Sequence, residues 1–219
     1  MRNTKVLEML NTGRIDELKK SLQDEIYEEA LKDKPGAKKR YAAMKKYFKY
    51  HMPVRESLQK PCAIEFDGKP FISFTNSWSL ALTTEDTGEI ELFDKEKGNY
   101  PDVGRLLRSD GVVHRVDITK VIAEAKSKGY KLLKGEVDYH YKYLMFFDGS
   151  YYKVGLLEAT YGIIDDGNPP LVYKVPGECK TITIENSIGY SLILPVRYEG
   201  DPENDGKIVI GADKYAYQK

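Results

Sequence analysis

The chain has 219 residues, enough for one large domain or two small ones with a real core. Hydrophobic residues make up 41% and charged residues 31%, a globular composition that excludes intrinsic disorder. Lys+Arg and Asp+Glu tie at 34 each, which excludes a nucleic-acid contact driven by total charge and leaves only its distribution.

In chain order, Ile15, Leu18, Leu22 and Ile26 recur at spacings of three and four, which predicts a helix over 14–32 with these residues on one face. Lys34-Pro35-Gly36 breaks it. A second helix is predicted from Ala37 to His51, with Tyr41, Met44 and Phe48 on one face and Pro53 marking its end. From Pro61 the period changes to two. Cys62–Phe66, a turn at Asp67-Gly68-Lys69-Pro70, and Phe71–Phe74 predict a hairpin. Further strands are predicted at Trp78–Thr83 and Glu89–Phe93, then a charged crossing over 95–102.

Beyond the crossing, 117–128 predicts a helix stopped by Gly129. A strand is expected over 137–147, a turn at Asp148-Gly149, and a helix over 152–164. Three strands follow at 171–175, 180–185 and 190–196, with one more at 207–210. The pattern of helix followed by strands occurs twice.

The search for chemistry finds little. Cys62 and Cys179 have no CxxC spacing, so neither a zinc site nor a disulfide framework is expected. His51, His114 and His140 lack metal-ligand partners at suitable spacing and are read as structural. Asp165-Asp166 before Gly167-Asn168-Pro169-Pro170 reads as a solvated loop. No GxSxG, P-loop or GxGxxG occurs, so no catalytic residue, metal or cofactor is assigned. An enzyme of unrecognised class has no motif behind it. No apolar stretch reaches the length of a signal peptide or a membrane span, so the expected compartment is the cytoplasm, with no membrane partner.

The helix over 37–51 is basic: Lys38, Lys39, Arg40, Lys45, Lys46 and Lys49 lie in it without an acid. It reads either as a phosphate-facing surface or as a solvated face balancing Asp24, Glu25, Glu28 and Glu29 in the preceding helix.

Three segments together resemble the bacterial DNA sliding clamp, the β subunit of DNA polymerase III. Gly98-Asn99-Tyr100-Pro101-Asp102-Val103-Gly104-Arg105-Leu106-Leu107 is similar to the crossing between the clamp's second and third domains. Phe74–Leu82 resembles a clamp strand with its Thr-Asp-Gly turn, here with Asn76-Ser77 in place of Asp-Gly. Thr183–Asn186 with Tyr190–Arg197 resembles the final hairpin, closing on aliphatics, Pro, an aliphatic and Arg. More weakly, the basic helix with 62–68 resembles the opening of a clamp domain, and 147–164 the second helix of the last one. The chain is too short for three clamp domains, and its first helix has no clamp counterpart.

The resemblance implies an abbreviated clamp-like α+β fold, helices packed on antiparallel sheets. It would comprise an N-terminal helical segment at 1–36 and clamp-like lobes at 37–105 and 106–219; one clamp-type domain with additions is the alternative. It also implies a non-enzymatic, processivity-factor-like role in DNA replication, in a trimmed form that suits a phage or mobile element. By the same resemblance, Thr75, Leu80, Pro101, Leu106, Leu192, Leu194 and Pro195 would build a hydrophobic pocket for clamp-binding peptides of polymerases or other proteins. Lys38, Lys39, Lys45, Lys46 and Lys49 would face duplex DNA, and a ring would need a homo-oligomer. The alternative is an adaptor or decoy that keeps the fold without closing a ring.

Overall fold

The computed structural model describes residues 3–34, 36–50, 55–107, 111–132, 141–175, 177, 179–198 and 200–217. Two helices, α1 (Asn3–Asn11) and α2 (Ile15–Ala30), form a hairpin, and Gly36 at φ 73° lets the chain turn into α3 (Ala37–Tyr50). Strands β1 (Cys62–Phe66) and β2 (Lys69–Thr75) are joined through Asp67 and Gly68, both at positive φ (52° and 68°). A two-residue hairpin needs this geometry at both central positions, and Asp-Gly supplies it at low cost. Asn76 Oδ1 then accepts from the N–H groups of Trp78 and Ser79 (3.0 and 2.9 Å), closing a tight turn into β3 (Ser79–Thr83).

The crossing returns over the sheet to β4 (Val112–Val116) and α4 (Ile118–Ser127), which Asp117 caps by accepting from the N–H of Lys120. Then come β5 (Tyr143–Phe147), β6 (Ser150–Lys153), α5 (Val154–Ile164), β7 (Leu171–Lys174), β8 (Ile182–Asn186), β9 (Gly189–Ile193), β10 (Ile208–Gly211) and β11 (Ala216–Tyr217).

The large sheet has the order β1-β2-β3-β9-β8-β7-β4-β11, antiparallel throughout; β10, β5 and β6 form a smaller one in which β10 runs parallel to β5. The unit of one helix and three strands thus appears twice, as α3-β1-β2-β3 and α5-β7-β8-β9. Its two copies join edge to edge through β3 and β9. The segments 37–105 and 106–219 therefore share one sheet.

Strand parity divides the core. Phe74, Ala81, Ile184 and Ile193 face the helices and merge with Tyr41, Met44, Leu157 and Ile163, whereas Phe71, Leu80, Leu82 and Leu192 form a second cluster on the opposite face. Each such side chain contributes about 1.5–3 kcal/mol by burial. Helices α3 and α5 pack closely because Gly162 lies against Ala43, where an added Cβ would stand 3.3 Å from the alanine methyl.

Several expectations are corrected. Glu89–Phe93 is not a strand: Asp86 Oδ1 accepts from Gly88 N–H, so the chain turns there, and Phe93 makes a hydrogen bond to the Pro61 carbonyl (2.7 Å). The helix expected from 152 begins at Val154, because Ser150–Lys153 pair with β5 first. Sequence periodicity also missed β4 and β11. His114 sits on β4 with its ring edge-on to Phe147 (5.2 Å). His51, Pro53, His140 and the 137–140 part of the expected strand lie outside the described residues.

Glu124 ties α4 to the C-terminal segment, accepting from Lys214 (2.6 Å), Tyr215 (2.7 Å) and Lys128 (3.0 Å). Burial pushes its pKa up, but these bonds outweigh it and hold the carboxyl at about 2 rather than 4.5. A folded-state pKa below the unfolded one means stability that is present above pH 4.5 and lost as pH falls toward 2. Glu124→Gln should therefore flatten the acid limb of stability against pH in that window, read by denaturant melts at several pH values. A second outcome concerns the joining ladder. A Cβ on Gly189 would sit 1.9 Å from the Leu82 carbonyl oxygen, so Gly189→Ala must part β9 from β3. The expected cost is about 1–3 kcal/mol, a fall in Tm of roughly 2–4 °C per kcal/mol at this chain length.

Candidate functional site

On the face of the large sheet away from the helices, Leu80 of β3 and Leu192 of β9 are direct cross-strand neighbours. Phe71, Leu82 and Val103 complete the buried group, and Phe66, Tyr100, Leu107, Tyr190 and Leu194 pack around it half-buried. Tyr100 fixes the crossing in place: its hydroxyl donates to the Ser73 carbonyl (3.1 Å) and lies 3.0 Å from Ser73 Oγ. Burial pushes this phenol's pKa above its ordinary value, so it stays a neutral donor. A single turn of 3-10 helix, Val103–Leu106, then lays Val103 against the leucines.

The structure thus gathers Leu80, Leu192 and Leu194 with the segment from Tyr100 to Leu107. The seven residues expected to build a pocket divide into a buried floor and an exposed rim. Leu80, Leu192 and Thr75 are buried, and Thr75 Oγ1 donates to the Ser79 carbonyl (2.9 Å). Pro101, Leu194 and Pro195 are half-exposed, and Leu106 is 53% exposed. Of the seven, only these four are appreciably accessible to solvent. Residue patterning missed two neighbours of this rim. Trp78, the single tryptophan, is 47% exposed, and its carbonyl accepts from Leu194 N–H (3.0 Å). Lys153 at the end of β6 points its ammonium at the Trp78 ring (5.2 Å to the centroid). The lone tryptophan was the available signal for the first; the second had none, because its ring neighbour is distant in sequence.

On the helix side, α2 lies along α3 through charge. Lys45 pairs with Glu28 (3.0 Å) and Asp24 (3.4 Å), Lys38 with Glu28 (3.7 Å), and Lys39 with Asp165 (2.8 Å). Tyr41 donates to Asp24 (2.7 Å) and stacks at a tilt on Tyr27 (4.7 Å). Burial and then the Asp24 carboxylate raise the Tyr41 pKa. Lys46 and Lys49 are exposed and make no ion pair among the described residues. Between α3, α4 and α5 lies a cleft of about 420 Å³ lined by Lys39, Lys46, Ala123, Lys126, Glu158 and Gly162. Lys126, a cation that sequence reading did not assign to this surface, pairs there with Glu158 (2.6 Å).

Asp165 and Asp166 are engaged by local donors, Lys39 and Gly167 N–H for the first and Ser187 and Asn168 N–H for the second. No cluster of three metal-ligating side chains occurs among the described residues. No helix among them is long and apolar enough to cross a membrane.

No protein-family model and no curated protein sequence matches the chain. Among solved structures, it is similar to the DNA polymerase sliding clamp from Bacillus subtilis, at 14% identity and a TM-score of 0.45, over 75% of this chain. The matched part spans 63% of that clamp chain's length.

Asp24 and Glu28 compete with any phosphate for Lys38 and Lys45. If α3 meets duplex DNA, Asp24→Asn combined with Glu28→Gln should raise affinity for it in fluorescence anisotropy. If both lysines reach phosphates, the slope of log K against log salt steepens by roughly two, at ~0.9 per contact. An unchanged slope would show that α3 does not meet DNA.

Proposed function

We propose that this chain is a sliding-clamp-like, non-enzymatic binding protein that takes a short linear peptide on the outer face of its large sheet, beside Leu194. One observation carries the reading. The three segments that resemble the clamp, around Thr75, Tyr100 and Leu194, lie far apart in sequence yet converge on the Leu80–Leu192 pair. The floor there is apolar and preformed, held by the β3–β9 ladder and the Tyr100 hydroxyl, so a ligand orders little of the protein. The rim leaves aliphatic surface at Leu194, Pro195 and Leu106 for anchor residues. A Leu-sized anchor contributes about 1.5–3 kcal/mol, so two or three support roughly micromolar affinity after ordering costs.

Of the two modes of action, the adaptor that does not encircle DNA has the stronger support. Three of the five lysines expected to face phosphate are paired with Asp24, Glu28 or Asp165. Exposed Lys46 and Lys49 support the second reading, a processivity factor that contacts duplex DNA, which would need several copies to surround it. Light scattering with and without DNA separates the two: a monomer in both conditions favours the adaptor. In either mode the protein would act in the cytoplasm.

A clamp-binding peptide should bind the wild type with micromolar Kd by calorimetry. Leu194→Asp, which places a charge on the rim without touching the buried pair, should weaken binding more than tenfold while circular dichroism stays unchanged. Equal affinity for both proteins would remove Leu194 from the site.

A further inference from the structure

The hairpin of α1 and α2 turns its aliphatic side chains to water. Leu7, Leu10, Ile15, Leu22 and Ile26 are between 41% and 70% exposed, and they are half of the large hydrophobic residues so exposed among the described ones. The five share one face. Met9 and Leu18 are the buried side chains of the two helices and belong to neither cluster of the sheet, so they mark the seam between α1 and α2. At about 100° per residue, Leu22, Ile15 and Ile26 lie roughly 40–80° round α2 from Leu18. Leu10 and Leu7 lie roughly 100–160° round α1 from Met9, turned in the same sense. In two antiparallel helices, side chains turned in the same sense from the seam emerge on the same side. Asp24, Tyr27 and Glu28, which hold α2 to α3, fall on the opposite flank, so the chain's own helices leave this face open.

The size and charge of the face select what covers it. Together the five side chains expose roughly 500 Å² of carbon surface, near the upper end of the largest patch that a monomer carries. Two such faces laid together bury about 1,000 Å², the size from which specific association holds. A second copy hides both patches at once, whereas an unrelated partner leaves the stripe in water whenever it is absent. The formal net charge of +0 sets no long-range repulsion between copies. A lipid surface fits less well. Helices that lie on membranes carry Lys and Arg on their polar side, and 3–30 holds seven acidic residues against four basic ones.

We propose that the α1–α2 hairpin is a homodimerisation element, through which two copies of this chain pair face to face about a two-fold axis. Leu22 and Ile26 of α2, with Leu7 and Leu10 of α1, form the buried centre of that pair. An isologous contact of this kind closes on itself and stops at two copies. It uses the part of the chain for which the clamp resemblance has no counterpart, lies away from the edges of the large sheet, and does not depend on the peptide or DNA readings.

The test is the mass of the full chain in solution, followed by light scattering without DNA through the micromolar range. The wild type should rise with concentration toward twice 25.0 kDa. Raising salt from about 0.1 to 1 M should leave the pair intact, because apolar burial is not screened. Leu22→Lys combined with Ile26→Lys should weaken pairing at least tenfold, and Leu7→Lys combined with Leu10→Lys should do so from the other helix. Circular dichroism of both variants should match the wild type, since these side chains stand in water in the single chain. A wild type that stays at 25.0 kDa overturns the inference; if it then co-sediments with phosphatidylcholine vesicles, the stripe serves a lipid surface instead. A pair that dissolves in salt, or that survives both double variants, is built elsewhere and overturns it equally.

Discussion

The pairing of β3 with β9 is the constraint from which the rest of the architecture follows. Each strand ends a three-stranded meander that begins from a helix, and joining them antiparallel places α3 and α5 on the same side of a continuous sheet. Register then decides the chemistry of both faces. With Leu80 opposite Leu192, Ala81 falls opposite Ser191, and these two small residues give the helices room to approach. A slip of one residue would send the leucines into the helix layer and the small residues outward. Gly189 enforces the register from the end of the ladder, because the Leu82 carbonyl occupies the space where any side chain would begin. The apolar outer face and the tight helix layer are thus two consequences of one alignment.

Charge is distributed under the same geometric control. The sheet interior tolerates Lys174 because the turn at Asp148 and the Gly177 carbonyl converge on it. Helix α3 places Arg40 on its buried side, where Glu85 and a backbone carbonyl receive it, and Lys38 and Lys45 on the side where α2 brings acids. Lys153 belongs to β6, whose pairing with β5 and whose bridge from Tyr151 to Val196 fix where the side chain emerges. Among the described residues, the rings of Tyr141 and Trp78 lie nearest its ammonium.

Local signals read well from sequence wherever the backbone itself demanded a residue type. Asp67-Gly68 located the first hairpin, Pro35-Gly36 the break before α3, and the alternation of aliphatics the strands at 79–83, 171–174 and 189–193. Strands short enough to lack a full period were lost: Ala216–Tyr217 has two residues, and Ser150–Lys153 was absorbed into the apolar run of the helix that follows. Glu89–Phe93 has strand-like alternation but follows the Asp86-Thr87-Gly88 turn, which carries it away from a partner. For the outer face, a period of two identifies which residues share a side of the sheet, and so the leucines could be named. It cannot say what lies over them. The division into buried floor and open rim depends on Tyr100 reaching Ser73, a contact between distant segments with no local signature.

Helix α2 illustrates the limit of periodicity most clearly. Its aliphatic residues fall on a stripe, and the simplest expectation is that the stripe faces the core. Leu18 is buried, but Ile15, Leu22 and Ile26 remain largely in solvent, while Asp24, Tyr27 and Glu28 face α3. The partner surface explains the reversal. The side of α3 available to another helix presents Lys38 and Lys45, and aliphatic residues laid over these ammonium groups would strip their water without replacing it. Carboxylates compensate the charge, and Tyr27 fills the space beside Tyr41 with a ring that keeps its hydroxyl bonded to the Asp86 carbonyl. The orientation of a helix is decided by the pair of faces that meet, and here the basic character of α3 outweighs the apolar stripe of α2.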